Sequence, residues 1–304
     1  MRTMLLCSLR DIDFPLKLKS NPTVEFHRGY RMPSSLALQV SNLLNQCTFK
    51  QLQLLHALII KTSLDRIPEI RLKFLRRSTE FGGMEYSNLI FKLMGGFCNT
   101  EVTLWNAMIR GYAYNGPFRK CISMFDEMTL RNLKPNNFTY PYVLNSCSQL
   151  GLFSKGQRVH CQIIKSGFES ASSVGSGLFD FYVKRIDSLH MDLGKSGSLD
   201  DARMIFDGMC EKTIELWNRM IGKYVSIGDL AIVRELFDKM PERDVISWNT
   251  MISGYVKAGE VANARDLFEQ MPEKNVVSWT TIVGAYADVG NLKTCEDIFR
   301  ENAR

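Results

Sequence analysis

Small polar side chains recur at one position along this chain, directly after an aromatic residue, and they are the groups best suited to bind a ligand. Four of them follow the four tryptophans and a fifth occupies the equivalent place in a variant unit: Asn106, Asn218, Asn249, Thr280 and Ser176. Amide and hydroxyl groups at regular steps can hydrogen bond to the edges of unstacked nucleobases. Asn, Ser and Thr are also good helix N-caps, so capping is an equal alternative explanation.

Groups that could catalyse a reaction or hold a metal are present, but their spacing does not favour either role. The four histidines form no HxxxH or HxE motif, and no two of the eight cysteines are closer than fourteen residues. We therefore predict that the protein is not an enzyme and has no cofactor and no metal site. His56 and His160 are predicted to pack or cap, and the cysteines to be small core residues.

Composition and charge exclude some classes of partner. Apolar residues make up 45% of the chain and charged residues 23%, which are ordinary values for a folded protein. No window approaches 18 uninterrupted apolar residues, so no membrane partner is expected. The formal charge of +6 is dispersed along the chain and could neutralise phosphates, or could simply solvate the surface.

The elements that position the polar residues repeat at a fixed interval. Trp217, Trp248 and Trp279 lie 31 residues apart, and Phe, Met and Gly residues recur at the same interval. In the clearest unit, apolar residues at helical spacing run from Trp248 to Tyr255 and again from Ala264 to Met271. Each unit is therefore predicted to be a helix–turn–helix hairpin, which must stack on its neighbours to bury its apolar faces.

The predicted fold is all-α, a right-handed α-solenoid of about eight stacked hairpins over residues 39–304. Its clear units are 102–136, 137–171, 172–213, 214–244, 245–275 and an incomplete unit 276–304, and the array mixes units of 35 residues (102–136 and 137–171) with units of 31 residues (214–244 and 245–275). The unit 172–213 is longer because it contains an eleven-residue insert, residues 185–195. We predict that this insert either lengthens the first helix of the unit or bulges as a loop.

The motifs within the units resemble those of plant pentatricopeptide repeat (PPR) proteins. They are Trp-Asn-x-Met-Ile-x-x-Tyr at the start of a unit, Leu-Phe-x-x-Met-Pro-Glu-Arg/Lys at its end, and His-x-x-Ile-Ile-Lys-Ser-Gly-Phe in a long unit. The alternating lengths resemble the PLS subclass, which mixes standard, long and short repeats. The resemblance implies binding of single-stranded RNA, as a specificity factor for editing or processing in a mitochondrion or chloroplast. Other editing or processing factors would supply catalysis in trans.

The resemblance also implies which residues read the RNA. The polar residue after the aromatic, here called the readout position, would act with the last residue of its unit on one base. The pairs are Asn106 with Asn136, Pro141 with Ala171, Ser176 with Thr213, Asn218 with Asp244, and Asn249 with Asn275, while Thr280 has no partner. The family's code assigns uridine to Asn–Asp, a pyrimidine with cytidine preferred to Asn–Asn, and a purine to Thr280.

Side chains three residues before the readout position would sandwich the base. These are Thr103, Ile246 and Val277. Glu215 occupies the same position in its unit but is less suited to cover a base. A different class of function, a protein–protein scaffold resembling tetratricopeptide repeat proteins, is the alternative to RNA binding.

Both ends of the chain are expected to differ from the repeats. Residues 1–38 are predicted to be a leader that serves as an organellar transit peptide. The last unit stops before the Met and Pro that end other units, so the chain is expected to be truncated. It is also expected to lack the deaminase-like domain that many relatives carry, because the HxE and CxxC motifs of that domain are absent.

Overall fold

The hairpin pattern of the sequence is present throughout the part of the chain that the computed structural model describes, residues 34–188 and 197–302. Every regular element in these residues is an α-helix or a short 3-10 helix. Residues 1–33 of the predicted leader and residues 189–195 of the predicted insert lie outside the described ranges. The first residues of the insert, 185–188, continue the first helix of their unit.

At a level above the repeats, the chain divides into two compact parts. From here on we call them the first unit, Met1–Leu199, and the second unit, Asp200–Arg304. The helices of the first unit are α1 (Ser34–Gln46), α2 (Phe49–Lys61), α3 (Pro68–Glu80), α4 (Met84–Leu93), α5 (Val102–Asn115), α6 (Phe118–Leu130), α7 (Tyr140–Gln149), α8 (Phe153–Ser166) and α9 (Ser172–Ser188). Short 3-10 helices span Leu64–Arg66 and Gly95–Asn99, and the boundary falls within α10 (Gly197–Gly208). The second unit continues with α11 (Ile214–Ile227), α12 (Leu230–Lys239), α13 (Val245–Lys257), α14 (Val261–Gln270), α15 (Val276–Asp288) and α16 (Leu292–Asn302).

Within each unit, the odd-numbered helices form one layer, which we call the first-helix layer. In the first unit α1, α3, α5, α7 and α9 contact one another in chain order, and in the second unit α11, α13 and α15 do the same. Most even-numbered helices contact both the odd-numbered helix before them and the one after: α2, α4, α6, α8, α12 and α14. Each hairpin therefore buries its apolar faces against the next one.

A phenylalanine on one hairpin meets a tryptophan on the next in a near-perpendicular ring contact. The ring centroids of Phe237 on α12 and Trp248 on α13 lie 5.0 Å apart at an interplanar angle of 80°. The same contact recurs in three further places: Phe91–Trp105 at 5.1 Å, Phe206–Trp217 at 4.8 Å and Phe268–Trp279 at 4.7 Å. Such a contact adds about 0.5–1.5 kcal/mol to the area that the rings bury.

The basic residue that ends the Met-Pro-Glu-Arg/Lys segment closes the second helix and covers the same phenylalanine. Arg243 donates from Nε to the carbonyl oxygen of Phe237 at 3.0 Å, and its Cζ lies 4.7 Å from the Phe237 ring centroid. Lys274 donates to the carbonyl oxygen of Met271 at 3.0 Å and lies 5.3 Å from the Phe268 ring. A cation at a helix C-terminus and over a ring face is favourable on both counts.

Two equivalent histidines pack against tyrosines. Nδ1 of His56 on α2 lies 3.0 Å from the hydroxyl of Tyr86 on α4, and Nδ1 of His160 on α8 lies 2.8 Å from the hydroxyl of Tyr182 on α9. Burial lowers the pKa of His56, although the negative charge of Asp65 opposes this shift. The predicted packing role is therefore confirmed for both histidines.

The prediction that the cysteines are core residues is only partly right. Four of them are buried: Cys47, Cys98, Cys121 and Cys147. Cys161 and Cys210 are exposed, so the prediction is wrong for these two. Cys161 lies between the buried Val159 and Ile163 on α8 and so projects away from their stripe, and Cys210 follows the end of α10.

None of the helices in residues 34–188 and 197–302 combines the length and the apolar character that a membrane span requires.

Close packing of α8 against α9 depends on a glycine. A Cβ at Gly156 would lie 2.2 Å from ring carbons of Phe181, whose side chain is fully buried. We expect Gly156→Ala to lower the free energy of unfolding by about 1–3 kcal/mol, because the ring must shift in a packed core. Urea unfolding followed by circular dichroism measures this change.

The matched control is Gly222→Ala on α11, where an added Cβ would meet no atom within 4 Å. This substitution should raise the free energy of unfolding by up to about 1 kcal/mol, because alanine favours the helix. Equal effects of the two substitutions would contradict the packing explanation.

Candidate nucleic-acid interface

The readout positions lie inside the first helices and not at their caps. Asn106 is on α5, Asn218 on α11 and Asn249 on α13, and all three are half-buried. The N-caps of the first helices in the second unit are instead Thr213, Asp244 and Asn275, which are the predicted partner residues. Capping as an explanation of the readout residues is therefore wrong, whereas it applies to their partners.

Asp244 both caps a helix and holds a readout side chain. Its Oδ1 accepts a hydrogen bond from the backbone N–H of Ser247 at 2.8 Å, and this bond caps the N-terminus of α13. The same oxygen accepts from the Ser247 hydroxyl at 2.7 Å. Nδ2 of Asn218 donates to the same oxygen at 3.0 Å. Partial burial acts to raise the pKa of Asp244, but the hydrogen bonds from Ser247 and Asn218 outweigh it, so the pKa lies below its ordinary value.

The next hairpin repeats this arrangement with an amide in place of the carboxylate. Nδ2 of Asn249 donates to Oδ1 of Asn275 at 3.2 Å, and that oxygen also accepts from the backbone N–H of Ser278 at 3.0 Å. Because Oδ1 of Asn275 caps α15, the amide orientation of both asparagines is fixed. The two predicted pairs of the second unit are therefore formed.

The third pair, in the first unit, has an additional partner. Nδ2 of Asn106 donates to Oδ1 of Asn136 at 3.0 Å, as in the other pairs. The hydroxyl of Thr139 then donates to Oδ1 of Asn106 at 2.6 Å. Thr139 is fully buried, so Oδ1 of Asn106 is satisfied from the core side of the helix.

The carbonyl oxygens of the other two readout asparagines lack such a donor. Oδ1 of Asn218 and Oδ1 of Asn249 are buried, and neither accepts a hydrogen bond from the described residues. The residues equivalent to Thr139 are Ser247 and Ser278, whose hydroxyls bond to Asp244 and Asn275 instead. A buried acceptor without a donor costs about 1–3 kcal/mol. Asn218 and Asn249 therefore differ from Asn106 in that each has a buried oxygen that can still accept a hydrogen bond.

An exposed side chain lies one helical turn before each of the three readout asparagines and before Thr280. Ile246 and Val277 are 61% and 54% exposed, which is high for apolar residues, and Thr103 is also exposed. Glu215 is exposed at the equivalent place before Asn218. Because residues three apart share a helix face, each of these side chains lies on the same face as its readout residue.

The remaining predicted site residues have separate local bonds. The hydroxyl of Ser176 donates to the carbonyl oxygen of Ser172 at 3.0 Å in the first unit, while Thr213 caps α11 in the second unit. The hydroxyl of Thr280 bonds to carbonyl oxygens of its own helix, at Val276 and Val277. Pro141 lies in the first turn of α7, where its missing N–H has no cost, and Ala171 precedes α9.

Comparison with known proteins identifies the repeats. A family model described as the PPR repeat family matches residues 100–149 and 243–276, and one described as PPR repeat matches residues 215–245 and 277–301. The repeats in these residues are pentatricopeptide repeats. The PPR matches include the three asparagine pairs whose geometry is described above.

Similar PPR proteins come from Arabidopsis thaliana and maize. A chloroplastic/mitochondrial pentatricopeptide repeat-containing protein of Arabidopsis is 30% identical over 197 residues, which are 63% of this chain and 29% of that protein. A chloroplastic one is 37% identical over 125 residues, 41% of this chain and 14% of that protein. The crystal structure of maize PPR10 matches with a TM-score of 0.56 at 18% identity, over 89% of this chain and 39% of PPR10.

These similarities confirm the all-α solenoid of stacked hairpins. The chain spans less than a third of the length of the two Arabidopsis PPR relatives. Further PPR relatives are designated mitochondrial, so the predicted localisation, a mitochondrion or chloroplast, is also confirmed.

The double role of Asp244 gives a prediction for the stability of this PPR protein. Asp244→Ala should lower the free energy of unfolding of the second unit by about 0.5–2 kcal/mol, because α13 loses its N-cap. Asp244→Asn should remain close to the parent at neutral pH, since Asn275 performs the same role at α15. Urea unfolding measures both changes.

Acid should separate the parent from Asp244→Asn. A carboxyl whose pKa is lower in the folded state stabilises the fold above its ordinary pKa of 3.8 and loses that contribution as the pH falls through the lowered value. The parent should therefore lose more stability than Asp244→Asn between pH 3.8 and that lowered value. Identical acid profiles of the two proteins would show that the carboxylate contributes nothing.

Proposed function

We propose that this chain binds single-stranded RNA along its first-helix layer and that the pairs Asn218–Asp244 and Asn249–Asn275 each read one base. The observation that carries this proposal is the pair of buried asparagine oxygens without a donor, at equivalent positions of adjacent repeats. A structural role alone would be better served by the closed arrangement of Asn106, where a hydroxyl fills the same need.

The Watson–Crick edge of a pyrimidine supplies the missing donor. Uridine offers its N3–H beside the O4 acceptor, and cytidine offers its N4 amino group beside the N3 acceptor. An asparagine amide meets either edge with one acceptor and one donor. Since the oxygen is covered in this structure, a base reaches it after the neighbouring side chains that cover it move aside, while Nδ2 of the asparagine keeps its bond to Asp244 or Asn275.

The capping residues would keep the readout amides in register. Asp244 and Asn275 are themselves fixed by the first turns of α13 and α15, so the Nδ2 group that each one holds is positioned by the fold. Following the family's code, we propose uridine for Asn218–Asp244 and a pyrimidine, with cytidine preferred, for Asn249–Asn275. Ile246 and Val277 would cover the bases from the side.

The other predicted positions are proposed to contribute less. Asn106–Asn136 already has its acceptor filled by Thr139, so a base there must displace a hydrogen bond of the protein itself. Thr280 bonds to its own helix and is proposed to lean toward a purine. We also propose contacts from Ser176 and Thr213, and from the covering residue Thr103. These contacts would add little base preference.

The chain's biological role is proposed from the family. We propose that it is a specificity factor for RNA editing or processing, of the PLS subclass, and that other factors supply catalysis in trans. An organellar location of its relatives is consistent with this role, because organelle transcripts would then be its targets.

Base preference in a selection experiment tests the proposal. The full chain is mixed with a random pool of single-stranded RNA across a range of salt concentrations, and the retained sequences are determined. We expect pyrimidines at two adjacent positions, and affinity that falls as salt rises. Asn218→Ala and Asn249→Ala should each weaken binding about tenfold and erase the preference at one position.

Two substitutions serve as controls in the same assay. Asn106→Ala should weaken binding less than the other two, because Thr139 already occupies its oxygen. Asn263→Ala, on the exposed face of the second helix α14, should have no effect. Failure to retain RNA at low salt, with retention of a peptide ligand instead, would favour the protein–protein scaffold.

A further inference from the structure

An exposed tyrosine lies on the first-helix layer, about two helical turns beyond the readout position of its own repeat. Tyr114 is on α5, eight residues beyond Asn106 and four beyond Arg110, so the three residues follow one side of the helix. Its side chain is 70% exposed, whereas Tyr112, two residues earlier, is buried in the core. A large ring left open at this place is not explained by the packing of the hairpins.

The ring of Tyr114 is nevertheless held in place by its neighbours. The ring of Tyr142 on α7 meets it at a centroid distance of 5.8 Å and an angle of 62°, and Cζ of Arg110 lies 5.7 Å from its centroid. Burial raises the pKa of Tyr142, and the positive charges of Arg110 and Arg76 oppose that shift. Both guanidinium groups are therefore close to the hydroxyl of Tyr142.

Two grooves flank Tyr114, and each contains polar groups. The groove between α3 and α5 has a volume of about 240 Å³, and its lining includes Arg76, Arg110 and Glu80. Glu80 forms an ion pair with Arg77 at 2.9 Å. Neither Arg76 nor Arg110 has an acidic partner among the described residues. This groove thus carries two arginines without an ion-pair partner among the described residues, beside one glutamate that pairs with Arg77.

The second groove lies between α5, α7 and α9 and has a volume of about 260 Å³. Nζ of Lys184 donates to Oδ1 of Asn145 there at 3.2 Å, and Asp180 also lines the groove. Oγ of Ser148 lines it as well, is buried, and has no hydrogen-bond partner in the described residues. The floor of this groove therefore holds an unsatisfied hydroxyl beside an open aromatic ring.

We propose that Tyr114 and its two grooves form a nucleotide-binding site of their own, in which a base of single-stranded RNA stacks on the Tyr114 ring. Arg76 and Arg110 bind the phosphates on one side of that base, and Ser148 and Asn145 meet polar groups on the other. The proposal rests on the proposed function, because it assigns the same RNA a further contact, beside the readout positions Pro141 and Ser176 that also line the second groove.

The chemistry of the site favours RNA over a peptide. An aromatic ring accepts any base by stacking, without hydrogen-bond readout, and unpaired guanidinium groups suit phosphodiester oxygens. Two arginines spaced along adjacent helices fit a backbone with a charge at every nucleotide better than they fit a single carboxylate. The site would therefore add affinity but little sequence preference.

Substitution of the ring tests the stacking contact. The full chain is titrated with a fluorescently labelled, mixed-sequence single-stranded RNA at low salt. Tyr114→Ala should weaken binding about tenfold, while Tyr114→Phe should bind like the parent because it keeps the ring. The matched control is Leu130→Ala, which removes a similarly exposed apolar side chain from the second helix α6 and should change nothing.

Salt dependence tests the phosphate contacts. The double substitution Arg76→Ala, Arg110→Ala should reduce the slope of log affinity against log salt by about 1.4, because each phosphate contact with a single strand contributes about 0.7. Arg119→Ala, an exposed arginine on α6, is the matched control and should leave the slope unchanged. An unchanged slope in the double variant would overturn the assignment of these two arginines.

The outcomes separate this site from the proposed function. Asn218→Ala is measured in parallel, and circular dichroism verifies that each variant is folded. If Asn218→Ala alters base preference while Tyr114→Ala binds like Leu130→Ala, the Tyr114 site is overturned and RNA reading stands. If the parent retains no RNA, both proposals fail.

Cross-linking of RNA containing 5-iodouridine should modify the peptide that contains Tyr114, and adducts confined to other peptides would also overturn the site.

Discussion

The ring contact between a phenylalanine on one hairpin and a tryptophan on the next is the interaction on which the rest of the structure depends. It recurs between α10 and α11, α12 and α13, and α14 and α15, always near 5 Å and close to perpendicular. Each readout asparagine directly follows such a tryptophan. Because successive residues of a helix are about 100° apart, anchoring the tryptophan ring also fixes the direction of the readout side chain.

The polar part of each repeat uses few atoms for several purposes. One oxygen of Asp244 begins α13, bonds to Ser247 and holds the amide of Asn218. Position and stability are thus linked, since a change that loosens the helix cap also releases the readout amide. The Asn106 pair shows that one more hydroxyl, from Thr139, is enough to fill the oxygen that the other pairs leave without a donor.

Much of this arrangement could be predicted from the sequence, and the reasons are specific. Apolar residues at helical spacing and the Gly and Pro stops predict the hairpins, because burial of a stripe leaves few alternatives. The pairing of Asn218 with Asp244 followed from the family resemblance alone. The bond from Thr139 to Asn106 could not be predicted, because both threonine and serine offer a hydroxyl at that place and only the side-chain rotamer decides which oxygen it meets. Likewise, the exposure of Tyr114 beside the buried Tyr112 depends on which neighbours α5 meets.

The basic residue that closes each second helix has a consequence for how such chains change. Arg243 and Lys274 satisfy the end of their own helix and cover the phenylalanine that meets the following hairpin. A 31-residue segment that ends at this point has a closed helix end, and a Phe–Trp ring contact forms at each of its two borders. Duplication or exchange of whole segments therefore keeps the Phe–Trp contact and the closed helix end at each junction, while the residue after the tryptophan varies from Asn to Thr.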